Sequence, residues 1–94
     1  MTKYDAIQVY QTYLFVVRDW IDFFKRSENA FIKEKNDVFF RRLESSLGMA
    51  ENEFLAILEL SDRSWEAIKS KEESIIQGMS DFICNYPPPE EKKE

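Results

Sequence analysis

The chain has 94 residues, enough for one domain and not two, and a net charge of −5. Its single cysteine, Cys84, excludes an internal disulfide, and the lack of histidine removes the commonest general base and metal ligand together. Glycine and proline number only five, too few for the turns of an all-β domain.

Tyr4 to Arg26 reads as one long helix. Ile7, Tyr10, Tyr13, Leu14, Val17, Trp20, Ile21 and Phe24 recur at spacings of three and four. Val9, Val16 and Phe23 widen that stripe, while Phe15 falls away from it. A helix this apolar is either the centre of a bundle or half against a copy of itself. Ser27 then caps a second helix over 28–47. Phe31, Ile32, Val38, Phe39, Phe40, Leu43 and Leu47 are its apolar positions, and Gly48 is placed to end it. Its continuity across the polar stretch 33–37 is open, since Asn36 or Asp37 can restart a helix as a cap.

A short helix is expected over 50–59, burying Phe54, Leu55 and Leu58. Ser61 caps the next, whose apolar face begins at Trp65 and Ile68 and resumes at Ile75, Ile76, Met79, Phe82 and Ile83. The interval Lys69 to Ser74 is wholly polar, and Ser70 with Glu73 fits a capping box, so a break there would give a fifth helix. Gly78 in mid-helix points to close packing against a neighbouring backbone. Pro87, Pro88 and Pro89 stop the helices, and residues 87–94 read as a disordered, charged tail after a single domain over 1–86. The fold expected is all-α, a small bundle of four or five helices.

Charge is unevenly spread. Lys25, Arg26, Lys33, Lys35, Arg41 and Arg42 form a basic block, while residues 43–94 carry a net of −7. The block is either a solvated helix surface or a docking patch for an acidic partner. Fourteen side chains are aromatic, a heavy load for a small core, which directs some of them to an interface. Tyr10, Tyr13, Phe15, Trp20 and Phe23 are the candidate anchors.

Chemistry is scarce. The acidic pairs Asp19/Asp22, Glu51/Glu53 and Glu72/Glu73 lack the histidines and the facing carboxylates of a metal-binding bundle. Cys84 has no base and reads as a small buried hydrophobe or an inert thiol. Two glycines cannot build a phosphate-cradling loop. Neither an enzyme nor a cofactor is expected. No apolar run approaches a membrane span of about 18 residues, and the N-terminus lacks the apolar stretch of a signal peptide. The expectation is a soluble, cytoplasmic protein with a reduced cysteine.

Residues 38–70, with Phe54 and Leu58, the turn Leu60-Ser61, and Trp65 and Ile68, resemble the helix-turn-helix of the Cro/phage-repressor family. The chain departs from that family at Leu55, where a small residue is favoured, at Glu59, where glycine is favoured, and at Ala50, where a capping Ser or Thr is common. The resemblance implies DNA binding through 51–70, with Arg63, Ser64 and Lys69 on the exposed side of the recognition helix. Segment 51–70 carries a net of −3, which opposes phosphate binding. The favoured expectation is therefore a protein–protein interaction module, a regulator, adaptor or inhibitor, acting through its aromatic first helix as a homodimer. A DNA-binding regulator is the alternative.

Overall fold

The computed structural model describes residues 1–26 and 37–88. They form three helices: α1, Lys3–Arg26; α2, Asp37–Glu59; and α3, Asp62–Asn85. No strand occurs among the described residues, so the all-α class holds, with three long helices where four or five were expected. The Ser27 cap, Phe31, Ile32 and most of the charged tail lie outside the described residues.

Helix α1 starts from a reciprocal cap. The Asp5 amide donates to Thr2 Oγ1 at 3.1 Å, and the Thr2 amide donates to Asp5 Oδ2 at 3.2 Å, which satisfies backbone donors that a helix start leaves unpaired. Ser61 caps α3 as expected, its Oγ accepting from the Ser64 amide at 3.1 Å. Lys3 serves a distant end: its Nζ donates to the carbonyls of Leu60 at 2.6 Å and Leu58 at 3.3 Å. The last turn of α2 has no basic residue of its own, and Lys3 brings a cation to its negative pole.

Helix α1 is the centre. It runs antiparallel to α2, with Lys3 beside Leu60 and Phe24 against Phe39 and Phe40. It runs parallel to α3, with Trp65 Nε1 donating to the Met1 carbonyl and Trp20 Nε1 to the Tyr86 carbonyl, each at 3.2 Å. Ala6, Tyr10, Tyr13, Val17, Ile21 and Phe24 face the shared core, which α2 completes with Leu43 and Ile57 and α3 with Trp65, Ile76 and Met79. The close approaches between helices run from α1 to each of the others, while α2 and α3 scarcely approach one another.

Two expected breaks are absent. Helix α2 runs on through Gly48 because Leu43, Leu47, Ala50, Phe54 and Ile57 form one unbroken stripe against α1. Packing on both sides of the glycine outweighs its cost of about 1 kcal/mol. That register also corrects the buried face: Ile57 is fully buried, whereas Leu55 and Leu58 are exposed. Helix α3 continues through 69–74 because Glu72 occupies a core slot between Trp65 and Ile76, only 8% exposed, and accepts a hydrogen bond from Tyr10 Oη at 3.1 Å. Gly78 meets no neighbouring backbone: a Cβ built there, or at Gly48, would find nothing within 4 Å.

Neither glycine has a positive φ. Gly48→Ala is therefore expected to raise unfolding stability by about 0.5–1 kcal/mol in a urea titration, since alanine loses less conformational freedom in a helix. A glycine that ended the helix in a left-handed conformation would give the opposite sign.

Candidate functional site

Because α2 and α3 lie on α1 without closing on each other, a groove of about 560 Å³ remains between them. Tyr10 and Tyr13 of α1 form its floor. Ser45, Met49 and Ala50 stand on the α2 wall, and Ile75, Gly78 and Phe82 on the α3 wall. Met49 is 71% exposed and Ile75 50%, so both walls present apolar side chains to solvent. Arg42 and Glu53 lie along the α2 wall, to either side of Met49. Neither has an ion-pair partner among the described residues.

The floor is held by polar tips on apolar bodies. Tyr13 Oη shares a hydrogen bond with Ser46 Oγ, and its ring meets Phe82 edge-on with centroids 5.5 Å apart. Tyr10 is 1% exposed and donates to Glu72. Burial first, then the charge of Glu72 and its hydrogen bond, with a lesser contribution from Glu53, push the Tyr10 phenol well above its ordinary value.

The five candidate anchors separate. Tyr10 and Tyr13 are spent largely inside the protomer and meet the surface only as groove floor. Trp20 and Phe23 are half-buried in an aromatic cluster with Phe24, Phe39 and Tyr86 at the far end of the bundle. The described core thus holds more rings than the small-core argument allowed, because they pack on one another in edge-on and tilted pairs. Phe15 alone of the five is fully at the surface, 60% exposed on the outer face of α1.

The basic block is also divided. Lys25 and Arg26 end α1, where cations suit the helix terminus, and Arg26 Nε donates to the Asp22 carbonyl at 3.3 Å. Arg41 pairs with Asp37 at 3.1 Å, while Arg42 faces the groove. Lys33 and Lys35 lie outside the described residues. The contacts of Phe24 with Phe39 and Phe40 bring the four described cations to one end of the bundle.

Arg63, Ser64 and Lys69 lie at the opposite end, where α3 begins beside Met1. Ser64 is engaged in the cap, its Oγ 3.0 Å from that of Ser61, and Lys69 pairs with Glu66 at 2.8 Å. The hydrogen bond and charge of Glu66 raise the Lys69 pKa. The Leu60-Ser61 turn joins two helices of more than twenty residues each, with no separate helix beginning near residue 50.

Cys84 is exposed, contrary to the buried reading, because it falls one position outside the Phe82–Ile83 flank that packs on the core. Arg18 pairs across the α1–α2 seam with Glu51. Among the described residues no three His, Cys, Asp or Glu side chains converge to hold a metal, and no helix is long and apolar enough to cross a membrane. Sequence reasoning missed Met49, Glu53, Ile75 and Gly78 as groove residues. Their only shared signal is position on flanking turns of two helices whose relative placement is not local information.

No family model, curated protein or solved structure matches the chain.

Tyr10→Phe removes the donor to a buried carboxylate and is expected to cost about 1–3 kcal/mol of stability by urea unfolding. The pH dependence carries a sign. Folded Tyr10 holds its proton while the unfolded phenol ionises near pH ~10. The unfolded state therefore binds fewer protons above that pH, and stability falls as pH rises through it. The alkaline loss measured for wild type should be smaller in Tyr10→Phe, and equal losses would show that Tyr10 ionises as readily folded as unfolded.

Proposed function

We propose that this chain is a small, non-enzymatic protein–protein interaction module, a regulator, adaptor or inhibitor, that works by seating a helix in the α2–α3 groove. The observation that carries this reading is an open apolar trough whose two walls hold Met49 and Ile75 in solvent above a tyrosine floor. Exposed apolar side chains facing each other across a cleft are what a helix-in-groove contact buries. The tyrosines supply rigid faces at the centre, and Arg42 and Glu53 supply a charged rim that sets register.

DNA binding through 51–70 has less support. Arg63 and Lys69 stand at the end of the bundle away from Lys25, Arg26, Arg41 and Arg42. A single duplex face would thus meet one cationic group or the other, with acidic residues between them.

A photo-reactive side chain placed at Met49 tests the reading, with Glu66, exposed on the outer surface of α3, as the control position. Protein adducts are expected at Met49, not at Glu66, and are expected to be suppressed by Ile75→Lys, which puts a charge on the opposite wall. Equal labelling at both positions would remove the groove from consideration. Salt-steep binding to duplex DNA that needs Arg63 and Lys69 would establish the alternative instead.

A further inference from the structure

We propose that the occupant of the groove is a second copy of this chain, with α2 lying antiparallel on α2 and each Met49 seated over the tyrosine floor of the other copy. This rests on the groove being a docking site and names its partner. The argument is charge complementarity. Arg42 and Glu53 line the same groove flank of α2 and are eleven residues apart, three helical turns or about 16 Å. Ser46 and Met49 lie between them on that flank. Arg42 stands four residues before Ser46, and Glu53 four residues after Met49.

A two-fold axis passing between Ser46 and Met49 therefore sets Arg42 of each copy opposite Glu53 of the other. Both ion pairs form at once, because an isologous contact makes every pairing twice. A foreign helix would need an acid and a base three turns apart on one face, and α2 already has that pattern. The steric terms agree. Met49 is the most exposed large apolar side chain on the groove walls. Opposite it, Gly78 presents no side chain, and a Cβ there would touch nothing within 4 Å, so an incoming methionine meets open space above Tyr13 and Phe82. Ser45, Ser46 and Ala50 keep the α2 wall low enough for two helix backbones to approach closely.

The test is sedimentation equilibrium on the purified chain and on Arg42→Glu and Glu53→Arg, with circular dichroism confirming that both variants keep their helices. Wild type is expected to dimerise. Each variant turns two attractive contacts into two repulsive ones and is expected to weaken dimerisation at least about tenfold. An equimolar mixture of the two variants restores both pairs and is expected to form a heterodimer at wild-type strength. A wild-type chain that stays monomeric at every concentration overturns the proposal, as does a dimer indifferent to both substitutions. If the purified chain is monomeric while Met49 still labels another protein, the second copy is wrong and the groove reading stands. If Met49 labels nothing at all, both fail.

Discussion

One helix must serve two neighbours, and the rest of the molecule follows from that. Helix α1 buries residues around about half its circumference, from Val16 through Tyr13 and Val17 to Leu14, and it alone packs closely on both α2 and α3. Each large apolar side chain so buried is worth about 1.5–3 kcal/mol, so the α1 seams dominate the stability of the described domain. Two helices seated on one cylinder touch each other only where their contact lines lie close around it, and here they stay apart on either side of Tyr10 and Tyr13. The groove is thus a geometric consequence of the seams and not a defect in them.

The choice of tyrosine and tryptophan at the seams has a second effect. Each has an apolar body and one polar atom, and each polar atom finds a partner on another segment: Tyr10 with Glu72, Tyr13 with Ser46, Trp20 with the Tyr86 carbonyl, and Trp65 with the Met1 carbonyl. No buried side-chain polar atom among the described residues is left without one. Such pairs favour one register, because sliding a helix by a turn strands a donor or an acceptor inside the core. Glu72 shows the point most clearly. A carboxylate in a core position is costly to desolvate, and it is tolerated because Tyr10 arrives from α1 at the same level.

This interplay separates what the sequence reveals from what it conceals. Helix α1 is legible because its apolar period runs unbroken for about five turns, and the start of α3 is legible because Ser61 acts through its own neighbours. Phe15 is legible as an outlier for the same local reason. The continuity of α2 through Gly48 is not, since a glycine after a leucine is a strong local stop signal and only the partner helix shows that the stripe resumes. The polar interval in α3 misleads in the same way: Glu72 looks solvated until Tyr10 is placed beside it. The groove is less legible still. Arg42 stands out in the sequence only as one of six cations, and its pairing with the geometry of Glu53 emerges once α2 is known to be a single rod. Two separate helices meeting at Gly48 would not hold those residues in fixed phase.

The two glycines show why neighbourhood, not residue type, marks the groove. Both lie inside helices, both are exposed, and both leave empty space where a Cβ would stand. Each costs its helix about 1 kcal/mol relative to alanine. Gly48 faces away from the groove and borders nothing that its small size uncovers. Gly78 lines the groove together with Tyr13, Met49 and Phe82, so the open space beside it belongs to the trough. The helix cost at Gly78 is the same with or without an occupant, but the space it leaves is room that another apolar group can fill. Met49 and Ile75 have exposed side chains that gain nothing from the fold that presents them. The protomer thus carries, along one trough, several features that only an occupant makes favourable.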